Sequence, residues 1–340
     1  MSEAATKRHW PGRVLVAGLV LLLISAVLWV VPSDEYIFLP HRAQAVAPYV
    51  TVPNEKPDRN GGIYFVDVVV RKASLLERVL PWLREGASFI PTDQVEPKGA
   101  SGEDLRRQSR LEMERSQPIA AAVALRELGY TVRATPIGVL VSLVLRDGPA
   151  AGKLQPQDLI VSVNGDRVVT PNDLRQSIRR SGVGSTLTAT VRRGTKLVTV
   201  RMRPVADPND KRRAVIGVLV EQAADIRLPV KVRIDLGEIG GPSAGLAFAL
   251  DVMEELGRDV DGGMRVAATG TISLDGAVGP VGGLKQKTLG ARRAGVDVFL
   301  VPAGDNAREA AHYADGLKIV PVHSFRQALR ALATLASTRS

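Results

Sequence analysis

Five consecutive residues, Gly241-Pro242-Ser243-Ala244-Gly245, place one hydroxyl at the mouth of an apolar helical pattern carried by Ala244, Leu246, Ala247, Leu250 and Met253. Pro242 is pre-organised for the first helical position. Ser243 then falls in the first turn, where free N–H groups and the helix dipole favour negative charge. Three readings fit: a serine nucleophile whose oxyanion is received there, a bound phosphate, or a plain N-terminal turn that holds a serine. No Gly-Lys-Ser/Thr occurs in the 340 residues, which weakens nucleotide binding. The same five residues satisfy G-x-S-x-G, the nucleophile elbow of α/β-hydrolases, which needs an acid and a histidine downstream. His312 and His323 are present, but an HGGG-type oxyanion loop is not, and too little chain follows Ser243 for that fold.

A serine nucleophile needs a base. Downstream, Asp275-Gly276 turns a hairpin, and Gly282-Gly283 lead into a helix that ends near Gly295 and carries Lys285 and Lys287. At about 100° per residue the two lysines point roughly 200° apart. Lys287 falls among Gly290, Ala291 and Ala294 on a small-residue face, while Lys285 lies beside Arg292 on a charged one. Burial can bring a lysine pKa from about 10.4 down toward neutrality, which would make Lys287 a usable base. The competing reading is a lysine that snorkels or pairs with a distant acid.

Taken together, "GGPSAG", "ATGTISLDGAVGPVGGLKQK", "VFLVPAGDN" and "LKIVPVHSFRQAL" resemble the proteolytic domain of Lon proteases, serine peptidases with a Ser-Lys dyad. The resemblance runs from about Val230 to Ala333. It implies that Ser243 is the nucleophile, Lys287 the general base and Thr269 a residue that orients the lysine. Gly241, Pro242 and Ala244 would frame the oxyanion loop. Two positions depart from the pattern: Gly240 stands where many Lon enzymes have an aspartate, and Thr271 where a glutamate is common.

The chain before this region divides by pattern. From Tyr130 to Pro204, "IGVLVSLVL" reads as a strand, "PNDLRQSIRRSG" as a helix, and "TLTATVRRGTKLVTVRM" as two alternating strands. With "GPAAGKLQPQDLIVSVNG" between them, this unit resembles a PDZ domain. PDZ domains add a peptide as an edge strand, and the expected cradle is Ile137, Gly138, Val139 and Leu140, with the Asp173–Arg180 helix as the other wall. These four residues read equally as sheet core. "RSQPIAAAVALRELG" has Pro118 near a helix start and Gly129 at its stop. "GGIYFVDVVV" is a strand candidate that could open the proteolytic domain, with the PDZ unit inserted.

At the N-terminus, Val14 to Val31 runs without a charge after Lys7, Arg8 and Arg13, with Trp10 and Trp29 near its ends. About 18 apolar residues make a membrane span the expectation, and the charge bias keeps the N-terminus in the cytoplasm and the rest outside. The expected fold class is an α/β (α+β) Lon-type proteolytic domain plus a small, mostly-β PDZ domain, preceded by one transmembrane helix. The expected boundaries are a cytoplasmic N-terminus (1–13), the anchor (14–31), a membrane-proximal region (32–129), the PDZ domain (130–205), a charged linker (206–213) and the Lon-type domain (214–340).

This architecture resembles bacterial membrane-anchored proteases that carry no ATPase module. The resemblance implies an ATP-independent serine endopeptidase outside the cytoplasmic membrane, acting on unfolded or loosely folded polypeptides. The alternative is a membrane-tethered PDZ adaptor without activity. Partners are polypeptides and, through the N-terminal helix, the lipid bilayer. Lon-type domains often form rings, which leaves a ring-shaped homo-oligomer open. The net charge of +10 suits anionic surfaces, but 4% aromatics and no basic stripe argue against nucleic acid. With no cysteine, thiolate metal sites are excluded, and neither a metal nor a cofactor is expected.

Overall fold

The computed structural model describes residues 10–338 except 54–60, 97–101, 146, 208–210, 212, 236 and 238, and excludes the side chains at 10–13, 104 and 222. Residues 1–9 of the expected cytoplasmic N-terminus, with Lys7 and Arg8, and part of the 206–213 linker lie outside the described residues, while residues 10–13 begin α1. Two compact units form: one takes 130–229, and the other takes the chain on either side of it.

The larger unit is built on a sheet in the order β2 (Gln44–Ala45), β4 (Gly62–Phe65), β16 (Arg265–Ala268), β19 (Val298–Pro302) and β20 (Lys318–Val322). All pairs after β2–β4 are parallel. A parallel sheet is covered on both faces, and its central strand reads as continuous apolar sequence. β19, Val298-Phe299-Leu300-Val301-Pro302, is buried at every position. Alternation then sorts its side chains between two cores. Val266, Ala268, Val298 and Leu300 face α4 (Gly102–Glu127), α6 (Gly245–Glu255) and α9 (Phe325–Ser337). Ala267, Phe299 and Val301 face α7 (Leu284–Ala294) and α8 (Asp305–His312). The piece "GGIYFVDVVV" contributes β4 to this sheet, in register from Gly62–Arg265 to Phe65–Ala268.

Two short ribbons flank the sheet: β3 (Val50–Thr51) with β15 (Arg233–Ile234), and β17 (Thr271–Ile272) with β18 (Val278–Gly279). The second is the hairpin turned by Asp275-Gly276. A separate three-stranded sheet, β5 (Val68–Ser74), β1 (Pro32–Pro40) and β6 (Ser88–Pro91), follows α1 (Trp10–Val30) and carries the short helices α2 (Leu75–Val79) and α3 (Thr92–Val95). The described side chains of α1 begin at Val14, leaving 17 residues (14 through 30). Among the described residues no helix is long and apolar enough to cross a membrane.

Pro118 lies deep inside α4, not near its start. The polar first half of α4 concealed the helix in the sequence. It is held by buried Met113 and Ser116 and by the Ser109 carbonyl, which accepts the Gly241 N–H at 2.8 Å.

The smaller unit is a sheet in the order β11 (Lys196–Met202), β10 (Leu187–Arg193), β8 (Leu159–Val163), β7 (Arg133–Val144) and β14 (Val218–Arg227), with β9 (Asp166–Arg167) paired to β8. α5 (Pro171–Ser181) begins with a capping box between Thr170 and Asp173 and buries Leu174 and Ile178. The expected boundary at 214 gives way here. β13 (Ala214–Val215) pairs with β12 (Val205–Ala206), and β14 runs antiparallel to β7 from Val218–Val144 to Arg227–Arg133. Residues 214–229 thus complete the smaller unit, because their apolar strand closes the open side of β7.

Candidate active site

Ser243 is placed by a turn tighter than the α-helical start expected from the sequence. Pro242–Ala244 form a single 3-10 turn, and α6 begins only at Gly245. Gly241 enters that turn at φ +91°, a conformation open to glycine and costly for other residues. The Ser243 carbonyl is fixed from behind by the Gly270 N–H (2.8 Å) and the Thr269 hydroxyl (3.1 Å), both donating to it.

Lys287 comes from α7, whose ends are glycines in left-handed conformation, Gly283 and Gly295. It is 4% exposed, and its Nζ lies 2.7 Å from Ser243 Oγ and donates to Thr269 Oγ1 at 3.1 Å. Burial lowers its pKa to about 7, and the charge of Asp67 acts weakly the other way. Thr269 is itself fully buried. Its one hydroxyl proton goes to the Ser243 carbonyl, so toward the lysine it can only accept. That arrangement occupies one Nζ–H bond and leaves the nitrogen lone pair available to the serine.

Lys285, two positions away, points elsewhere. It is part-exposed, donates to the Ala87 carbonyl at 3.0 Å and lies 5.8 Å from the Tyr313 ring centroid. His312 and His323 are both exposed, so the hydrolase elbow finds no buried histidine to serve it. Asp67 escaped the sequence reading, although an acid inside the apolar run "YFVDVVV" was a signal; it binds His41 Nδ1 at 2.8 Å.

The described residues contain one group of carboxylates with metal-ligand spacing, Glu254, Asp259 and Asp261, within 4.8 Å of one another at the far end of α6. Their oxygens already accept backbone N–H groups: Val260 and Asp261 donate to Glu254, Gly262 to Asp259 and Gly263 to Asp261. These carboxylates build the loop, and no metal is assigned to them.

Residues 227–334 match the family of the Lon protease (S16) C-terminal proteolytic domain, and residues 110–203 match the PDZ domain family. The chain contains a Lon-type proteolytic domain and a PDZ domain. Lon protease 1 of Sorangium cellulosum is 37% identical over 106 residues, which is 28% of this chain and 13% of that protein. The mitochondrial Lon protease homolog of Homo sapiens is 38% identical over 92 residues, 26% of this chain and 9% of that protein. The chain therefore spans only about a tenth of the length of these relatives. Among solved structures, the PDZ domain of an SdrC-like protein from Listeria monocytogenes is 27% identical, covering 26% of this chain and 92% of that one, at a TM-score of 0.24.

Within the Lon-type domain, the departure at Gly240 has a steric cause. A Cβ there would lie 2.8 Å from Ser109 Cβ and 3.1 Å from its backbone carbon, so α4 leaves no room for an aspartate. Thr271, the second departure, sits in β17 and is part-exposed.

The expected cradle, Ile137, Gly138, Val139 and Leu140, lies within β7 of the PDZ domain. Val139 and Leu140 pair with β8 on one side, and Gly138, Val139 and Leu140 pair with β14 on the other. Val139 and Leu140 are thus paired on both sides, and Gly138 toward β14. β14 and β11 end the sheet, and α5 packs beside β14. It was missed because its residues follow the charged linker and read as the start of the next domain.

Proposed function

We propose that this chain is a membrane-anchored, ATP-independent serine endopeptidase that uses Ser243 and Lys287 as its dyad. The observation that carries the reading is the 2.7 Å approach of a buried, easily deprotonated Lys287 to Ser243 Oγ. Neutral Lys287 accepts the Ser243 proton as Oγ attacks the scissile carbonyl, then returns it to the leaving amine. The tetrahedral oxyanion is received by backbone N–H groups of Ser243 and Ala244, in the turn that Gly241 and Pro242 frame at the positive end of α6. Thr269 keeps the lysine lone pair on line. A cleft of about 160 Å³ between α4 and the segment that leads into the turn, lined by Met113, Gln117, Ile234 and Ile239 among others, suits a substrate side chain.

Polypeptides dock on the PDZ domain as an added strand along β14, whose main-chain groups on the side away from β7 supply the hydrogen bonds. The anchor is supported by the uncharged run Val14 to Val31 and by exposed apolar side chains along α1, from Leu15 at 74% to Val30 at 79%. Such exposure is costly in water and expected in lipid. The charge bias at its start supports a catalytic part outside the cytoplasmic membrane. ATP independence rests on the lack of a Walker pattern within these 340 residues.

Cleavage of fluorescein-labelled casein by the full chain in detergent tests the reading. Activity that survives in Ser243→Ala overturns the dyad. No activity in any preparation, with peptide binding intact, returns the chain to an adaptor role.

A further inference from the structure

Packed beside the end of α1, α2 leads into a turn that presents large apolar side chains to solvent. α2 ends at Val79 and a 3-10 turn, Pro81–Leu83, follows. Val79, Trp82 and Leu83 are 63%, 73% and 47% exposed. A tryptophan held out this far on an ordered element forgoes a large burial gain.

The turn is pinned. Glu77, 1% exposed, accepts two hydrogen bonds from Arg71 (2.9 and 2.6 Å) and one from Arg84 Nε (2.9 Å), and closes a capping box with Ser74. Arg84 follows Leu83 at once, so this ion pair ties down the far end of the turn. Its position relative to α1 is equally defined. The Leu75 N–H donates to the Val31 carbonyl at 3.0 Å, and the Arg84 guanidinium lies 5.2 Å from the Trp29 ring centroid. The turn is therefore level with the last turn of α1, where Trp29 marks the end of the apolar run. Interfacial tryptophans occupy this level of a bilayer, ring in the headgroup layer.

We propose that Val79, Trp82 and Leu83 form a second membrane contact, lying in the headgroup layer of the bilayer that α1 enters. The inference rests on the reading of α1 as a membrane anchor and adds a consequence to it. A single helix would leave the proteolytic unit free to tilt, whereas a helix plus an interfacial turn fixes which of its faces looks at the membrane. The occupant is the lipid interface because the patch continues the exposed apolar surface of α1 and carries its amphipathic ring at the matching height.

The test uses the full chain, which has three tryptophans. Trp10→Phe with Trp29→Phe leaves Trp82 as sole reporter and keeps a ring beneath Arg84. The protein is incorporated into phosphatidylcholine–phosphatidylglycerol vesicles, and flotation is scored separately. The expected result is blue-shifted emission that lipids brominated near the headgroup quench several-fold more than lipids brominated at the chain end. Emission at the water-exposed wavelength without quenching, in protein that floats, overturns the proposal. So does blue-shifted emission that no brominated lipid quenches, which would mean that a second copy of the chain covers the turn. Failure to float sinks the anchor reading instead. Because the chain has no cysteine, Val79→Cys carrying an environment-sensitive dye gives an independent reading of the same level if the tryptophan replacements unfold the protein.

Discussion

The two ends of α6 hold buried titratable groups of opposite kind. At the N-terminal end, burial lowers Lys287 to about 7. In the C-terminal half, burial together with the charges of neighbouring acids raises Asp251 to about 8 and Glu254 to about 7, the latter against the backbone N–H groups of Val260 and Asp261 that favour its charged form. One cause, loss of water, therefore discharges a base at one end and acids at the other. The chemistry differs because of what lies within reach. Lys287 has a hydroxyl 2.7 Å from its nitrogen. Asp251 has one carboxylate oxygen without a hydrogen-bond partner, and the charges that act on it are those of Glu255, Glu254 and Asp261. A displaced pKa becomes a mechanism only when a reacting partner stands beside it.

The widest separation between the two ends is expected in activity. Ser243→Ala and Lys287→Ala should each lower kcat/KM by about 10³-fold or more, as loss of a nucleophile or its base does elsewhere. Lys287→Arg should be as inactive, since a guanidinium stays protonated and cannot accept the serine proton. In the unaltered protein kcat/KM should rise with pH through about 7, as Lys287 loses its proton. A flat profile across that range, with chemistry rate-limiting, would remove the functional distinction between the two ends. Asp251→Asn should leave the profile in place.

Stability should respond with opposite signs. Asp251, raised from 3.8 to about 8, binds more protons folded than unfolded between those values, so its contribution is present at low pH and lost as pH rises through about 8. Lys287, lowered from 10.5 to about 7, binds fewer protons folded than unfolded, so its contribution grows as pH rises between those values. Melting in detergent between about pH 5 and about pH 7 tests the acid end, below the lysine window. Asp251→Asn should flatten the decline and melt above the unaltered protein at the alkaline limit. An unchanged slope would mean that Asp251 is ionised at little cost.

The burial of Lys287 was legible in the sequence because helical periodicity separates it from Lys285, and the small residues Gly290, Ala291 and Ala294 mark the buried face. Periodicity said less about α6, whose eleven residues are all buried, acids included. A helix enclosed on every side has no polar face to reveal its orientation. The parallel core had its signal in "VFLVP", a run suited to a strand covered on both faces, which entered the sequence reading only as part of the family resemblance. The edge of the PDZ sheet was not legible. Ile137–Leu140 and β14 are both apolar strand sequences, and which of them ends the sheet depends on pairing between residues about 85 positions apart, which no local pattern carries. Pro118 misled for a related reason: proline signals a helix start only on average, and tertiary contacts at Ser109, Met113 and Ser116 extended the helix past it.

Thr269 should give an intermediate effect. Thr269→Val removes the acceptor for Lys287 Nζ and the donor to the Ser243 carbonyl while keeping the shape, so about 10-fold in kcat with little change in KM is expected. Thr269→Ser keeps the hydroxyl and should recover most of the loss. If valine and serine behave alike, the hydroxyl does not orient the base.

The smallest effect belongs to Lys285, and it is the sharpest control on the geometry. It shares a helix, a charge and nearly a position with Lys287. Its ammonium is spent on the Ala87 carbonyl and the Tyr313 ring, on the opposite side of α7 from Ser243. Lys285→Ala should change kcat/KM by no more than about 2-fold, because a part-exposed hydrogen bond contributes modestly and touches no reacting atom. Any loss should appear in thermal stability, not in the pH profile, since the group that titrates near 7 is still present. An inactive Lys285→Ala beside an active Lys287→Ala would mean that α7 is rotated by about half a turn from the placement described, which would carry the buried base away from the serine.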